Sequence, residues 1–224
     1  MKSEQIRFAL RGVAAYKHLC DEPLMGLACA LLDDLSIGDG ERALEHYTRL
    51  FYELHATGCT GLGEWLYDQL RYQESPYARM VEQGRDDPVL TGAAKRDIAA
   101  FAALSALDCG EVLEQMREMA PPQYKPVIDG LPRWRCEAPF GFDALTAFYQ
   151  ANGSGMFAQY RAFLWEEGKL SPVHRPDSPT PQEMLGYELQ RDQVIANTRA
   201  LLEGKPANNV LLYGDAGTGK SSAV

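Results

Sequence analysis

Eight consecutive residues, Gly214, Asp215, Ala216, Gly217, Thr218, Gly219, Lys220 and Ser221, have the types and spacing needed to hold a chain of phosphates. They satisfy the pattern G-x-x-x-x-G-K-[ST], and the short apolar run NVLLY at residues 209–213 stands directly before them, as a strand feeding such a loop should. Glycines at 214, 217 and 219 free the backbone to take positive φ and turn its amides inward, so that no Cβ obstructs the approach of phosphate oxygens. Lys220 brings a mobile ammonium to the β- and γ-phosphates, and the Ser221 hydroxyl is placed to ligate Mg²⁺. A helix beginning at about Lys220 would add unpaired amides and the positive end of its dipole. A linking turn would account for the glycines but not for the Lys-Ser pair or the preceding strand. The segment reads as a Walker A phosphate-binding loop.

Other constellations carry less chemistry. His18, His46, His55 and His174 are scattered without helical ligand spacing, so no histidine metal site is expected. The five cysteines, Cys20, Cys29, Cys59, Cys109 and Cys136, include no C-x-x-C pair that would suggest zinc or a redox dithiol, and they read as buried small hydrophobes in a reducing compartment. Gly153-Ser154-Gly155 resembles a nucleophile elbow only superficially, because position 152 is Asn; it reads as a turn. Asp33-Asp34 and Asp86-Asp87 sit beside helix ends, where capping or solvation is the ordinary role of a carboxylate. Trp65 and Tyr67 read as core.

The elements that must position the loop are mostly helical. Up to about residue 165 apolar residues recur three and four apart, as in the stripe Ala43, Leu44, Tyr47, Leu50, Phe51 and Leu54 behind the N-cap Asp39. Further stripes are Ile6, Ala9, Leu10 and Val13, and Leu90, Ala94, Ile98, Phe101 and Leu104. Ser75-Pro76 and Asp87-Pro88 each place a capping side chain before a proline suited to the first helical turn. Short helices are expected through Leu113, from Leu145 to Tyr149 and from Phe157 to Leu164, giving about eight to ten helices in a bundle or short array without a fixed repeat. Residues 166–181 are proline-rich and read as a linker that ends in the capping-box spacing of Thr180 and Glu183. A helix with Val194, Ile195, Thr198, Leu201 and Leu202 on one stripe follows, stopped by Gly204 with Pro206 beyond. The expected organisation is a helical domain over 1–165, the linker, and the start of a nucleotide-binding domain over 182–224. The fold class is mainly α.

Composition narrows the functions. Of 224 residues 46% are hydrophobic, enough for a proper core, and 31 acidic against 22 basic residues leave a net charge of −9 that disfavours nucleic acid. No apolar stretch is long enough for a bilayer and no signal peptide opens the chain, so a cytoplasmic protein without membrane attachment is expected.

Leu185-Gly186-Tyr187-Glu188, the helix, and then KPANNVLLYGDAGTGKSS resemble the entry into the AAA-type ATPase fold, over residues 185–222. More narrowly the segment is similar to a bacterial family of AAA-superfamily ATP-binding proteins whose biological role is unassigned. The resemblance implies an α/β P-loop NTPase domain of which the chain carries the truncated start. ATP and Mg²⁺ would be held by residues 214–221 and Ser222, and Gly186 and Tyr187 would lie near the adenine. It further implies a helical region that recognises a protein client or regulates, and a homo-oligomer when the protein is intact. Because the chain stops at Val224, before any second strand with acidic residues, no catalytic residue is expected within it, and this polypeptide should neither hydrolyse nor tightly bind nucleotide. A P-loop GTPase or small-molecule kinase, and a helical interaction module with a non-functional loop, remain open alternatives.

Overall fold

A computed structural model of the chain describes residues 2–136, 140–176 and 187–214. Among these the chain is mainly α-helical and divides into two compact units, Met1–Arg161 and Ala162–Val224.

The first unit contains α1 (Lys2–Arg11), α2 (Pro23–Ile37), α3 (Gly40–Ala56), α4 (Leu62–Tyr72), α5 (Pro76–Glu82), α6 (Pro88–Ser105), α7 (Cys109–Met119), α8 (Lys125–Asp129), α9 (Phe142–Asn152) and α10 (Met156–Gln159), with 3-10 turns at Lys17–Asp21 and Pro122–Tyr124. The starts follow the capping chemistry of the sequence. Asp39 accepts from the Arg42 amide, Ser75 from that of Ala78, Asp87 from those of Val89 and Leu90, and Asp108 from those of Gly110 and Glu111. The stops are equally local: Gly38 and Gly84 take φ of 76° and 63°, and the next residue's amide reaches back to Asp34 and Met80.

α6 is the centre of this unit, packing on α1, α4, α5 and α9, while α2 packs along α3 and α7 joins α3 to α8. The expected stripes face inward. Ala43, Tyr47, Leu50 and Leu54 are buried on α3, and Ala94, Ile98, Phe101 and Leu104 on α6. Burying a leucine such as Leu50 contributes about 1.5–3 kcal/mol. On α1 the stripe is narrower than expected, since Ile6 and Leu10 are buried but Ala9 is exposed. Trp65 is buried, and Tyr67 stacks on Phe140 with the Arg71 guanidinium 4.4 Å from its ring.

Most polar groups inside the unit are matched, although among the described residues Arg7 Nε, His18 Nε2, Arg71 Nε and Asp97 Oδ1 are buried without a hydrogen-bond partner. Four tyrosines are almost wholly buried, and each hydroxyl is bonded: Tyr47 to the Pro132 carbonyl, Tyr77 to Thr146, Tyr149 to the Leu70 carbonyl, and Tyr16 to Tyr149. Burial pushes the Tyr149 phenol up to about 12 and raises that of Tyr16 as well. Asp97 of α6 is a buried carboxylate whose Oδ2 accepts the Ala14, Ala15 and Tyr16 amides at 2.8, 2.6 and 3.2 Å, which fixes the turn after α1 onto α6. Asp34 departs from the solvated role expected for it: it is buried, 2.5 Å from the His46 imidazole and 3.5 Å from the Arg42 guanidinium. Gly153 and Gly155 both take φ of 73° around Ser154, making the expected turn between α9 and α10.

Of the cysteines Cys109 is buried, Cys136 is exposed and the other three are intermediate, so burial describes them only in part; none is in a disulfide. No helix among the described residues is long and apolar enough to cross a membrane.

The second unit differs from expectation at its start. The helix expected from Phe157 to Leu164 is cut to the single turn of α10, and Phe163–Glu166 (β1) pairs antiparallel with Lys169–Pro172 (β2), where a structureless linker was expected. The turn explains it: Glu167 at φ 51° and Gly168 at φ 78° are the two consecutive left-handed residues that a two-residue hairpin turn requires. The composition of 166–181 is dominated by prolines that lie after this turn. The remaining helix, α11 (Glu188–Leu202), belongs to the same unit.

Candidate functional site

The described approach to the phosphate-loop sequence is α11 and the twelve residues after it. The helix ends as its sequence dictates. Gly204 takes φ of 68°, its amide reaches the Leu201 carbonyl at 3.1 Å, and the Lys205 amide reaches that of Ala200 at 2.8 Å, the paired bonds of a Schellman stop. Pro206 follows and cannot extend the helix.

Beyond the stop the Asn197 side chain ties the chain back to α11. Asn197 donates through Nδ2 to the Asn208 carbonyl and accepts the Asn208 amide on Oδ1, both at 2.8 Å. This two-point clasp satisfies both backbone groups of Asn208 and fixes where residues 209–214 depart from α11. Asn197 was not singled out by sequence reasoning, because an amide amid a helical stripe looks like solvated surface. The clasp goes to the backbone of Asn208, so no side-chain pattern announced it.

The predicted site residues divide sharply. Gly214 is described, at φ of 145°, a value that L side chains rarely adopt, which agrees with the need for glycine at the head of the loop. Tyr187 is described as the residue before α11, with φ of −135° and its ring partly open to solvent. Along α11 Tyr187 and Asn197 are ten residues apart, about 15 Å. Gly186, Asp215, Ala216, Gly217, Thr218, Gly219, Lys220, Ser221 and Ser222 lie outside the described residues, as do Thr180 and Glu183 of the expected capping box.

Residues 209–213 do not form the expected strand: no ladder includes them, and Val210, Leu211 and Tyr213 are exposed. A strand of this apolar kind is stable only between neighbours on both edges, and the described residues of the unit offer none. The α11 stripe is covered only in part: Val194 and Ile195 are half-buried, while Leu201 and Leu202 are exposed.

Residues 158–224 match a family described as "Protein of unknown function (DUF815)". The matched segment begins a few residues before the boundary between the two units, so it comprises the hairpin, α11 and the loop sequence, and covers less than a third of the chain. No curated protein and no solved structure matches the chain.

The helical unit holds a separate concavity. A cleft of about 520 Å³ opens between the α2–α3 corner and the α7–α8 connection, lined by Gly38, Leu44, Met119, Tyr124, Val127 and Ile128. Tyr124 and Val127 present apolar surface there to solvent.

Proposed function

We propose that residues 214–222 bind the polyphosphate of ATP with Mg²⁺ and that the helical unit recognises a protein client or regulates the nucleotide site, in the cytoplasm. The observation that carries the reading is the sequence GDAGTGKS placed directly after NVLLY. Support comes from the described ends of the segment. Gly214 has a backbone value suited to a loop that turns its amides inward, and the Schellman stop with the Asn197 clasp sets a defined start for the run into it. In this role Lys220 neutralises the β- and γ-phosphates, and the Ser221 hydroxyl holds Mg²⁺, which supplies charge neutralisation at the phosphates. Tyr187, partly exposed ahead of α11, is available to pack against a base. The cleft between α3 and α8 suits an apolar segment of a client. Cysteines outside disulfides fit the cytoplasm.

The test is a calorimetric titration of the full-length protein with ATP and with GTP in the presence of Mg²⁺, for the wild type and for Lys220→Ala. ATP binding that weakens at least about tenfold in the variant supports the reading. Equal affinity in the two proteins, or no binding of either nucleotide, removes it; a preference for GTP would move the site to the GTPase alternative.

A further inference from the structure

Three metal-ligating side chains that the chemistry above does not use meet at the N-terminal end of α7. One ligand atom each from Asp108, Cys109 and Cys136 lies within 4.8 Å of the others, and the Cys136 Sγ is 3.9 Å from Asp108 Oδ2. Ligands sharing a tetrahedral zinc ion stand about 3.5–3.8 Å apart, so closing the cluster on an ion needs side-chain movements of about 1 Å. We propose that Asp108, Cys109 and Cys136 form a site for a thiophilic divalent cation of the zinc and cadmium class, with water in the fourth position.

Each ligand is already held in place. The Asp108 Oδ1 caps α7 by accepting the Gly110 and Glu111 amides at 2.6 and 3.1 Å, which leaves Oδ2 turned toward Cys136. Such outer bonds orient a metal-ligating carboxylate. Cys109 is the first residue of α7 and is buried, its thiol directed at the Trp134 carbonyl. Cys136 ends a segment pinned at two points. The Arg135 amide donates to the Thr60 carbonyl at 2.8 Å, and the Trp134 ring is buried against Tyr47 with centroids 4.7 Å apart. Cys136 is exposed, which gives the ion an entry path and the fourth position to solvent.

The charges also balance. Two thiolates and a carboxylate carry three negative charges at the positive end of a helix, where anions are favoured. The Arg133 guanidinium lies beside the same turn, 3.7 Å from where a β-carbon on Gly110 would stand. A divalent cation together with Arg133 brings the cluster to neutrality. Soft sulfur ligands select zinc or cadmium over magnesium or calcium. Both thiol protons leave when the ion binds, so uptake releases two protons per metal and weakens as pH falls.

The test is a titration of the reduced full-length chain with Cd²⁺ and Zn²⁺, read by calorimetry and by the thiolate-to-cadmium charge-transfer band. Two variants preserve the fold: Cys136→Ser changes an exposed residue, and Asp108→Asn keeps an N-cap of equal quality while removing the charged ligand. The expected result is one ion per chain with the charge-transfer band, and a thermal midpoint raised by roughly 5–10 °C when the metal is well above its dissociation constant. Cys136→Ser should lower affinity about 100-fold and Asp108→Asn about tenfold or more. No binding by the reduced wild type, or binding that Cys136→Ser leaves unchanged, overturns the proposal. So does a protein that closes a Cys109–Cys136 disulfide in air but takes up no metal when reduced.

Discussion

Leu50 and Leu54 of α3 are fully buried, whereas Leu201 and Leu202 of α11 are 66% and 82% exposed, although both pairs belong to apolar stripes of the same helical period. The difference is one of company. Among the described residues of Met1–Arg161 ten α-helices surround a shared interior, and the stripes on α3 and α6 find opposing faces. In Ala162–Val224 the described elements are one hairpin and one helix, too few to close a core. Periodicity therefore states which side of a helix wants cover, and the tertiary structure decides whether cover exists. The exposed leucines of α11 and the exposed apolar run at 210–213 are patterned for burial against a surface that the described residues of their own unit do not provide.

The helical unit is most vulnerable at Asp97. Replacing it by Ala leaves the buried Ala15 and Tyr16 amides and the part-buried Ala14 amide without their acceptor, and should cost the helical unit about 4 kcal/mol. Urea unfolding followed by circular dichroism reads the loss; a cost under about 1 kcal/mol would mean that the turn after α1 is not held by this carboxylate.

Alkaline pH should act next most strongly, and on the same unit. The Tyr149 phenol is raised from 10.0 to about 12 by burial, so its stabilising effect is complete below pH 10. Between pH 10 and about 12 the unfolded chain gives up a proton that the folded chain keeps. Stability falls through that window by about 2–3 kcal/mol from this group. Denaturant midpoints measured across the window should show the fall, and Tyr149→Phe should make it shallower by this group's share, while the raised phenols of Tyr16, Tyr47 and Tyr77 keep the rest.

In the second unit the effects are local and smaller. Asn197→Ala removes both 2.8 Å bonds to Asn208, and hydrogen exchange at the Asn208 amide should speed about tenfold, the equivalent of about 1.4 kcal/mol. Leu202→Ala, in contrast to about 3 kcal/mol for a fully buried leucine such as Leu50, should change stability by no more than about 0.5 kcal/mol. A larger loss would show that α11 has a covered face.

Features written in local sequence were legible. Asp39, Ser75 and Asp87 cap the helices they precede, Gly204 stops α11, and the stripes on α3 and α6 face the core. Features made by residues distant in sequence were not. Asp97 looked like any exposed helix acid until the turn at 14–16 was folded onto it, and Asp34 until His46 and Arg42 closed over it. Cys109 and Cys136 show no motif spacing because α7 and the segment 131–136 bring them together only through Trp134 and Arg135. The hairpin at residues 163–172 was hidden by the prolines after it, and 209–213 carried a strand's composition without a strand's neighbours. Of the candidate nucleotide site, Gly214 and Tyr187 are described and the rest lies outside the described residues.

Hydrogen exchange resolved along the chain, with and without ATP and Mg²⁺, addresses the nucleotide reading most directly. The full-length protein should gain protection over residues 214–222 when both are added, and Lys220→Ala should lose that gain. Identical exchange across this segment with and without the nucleotide would contradict it.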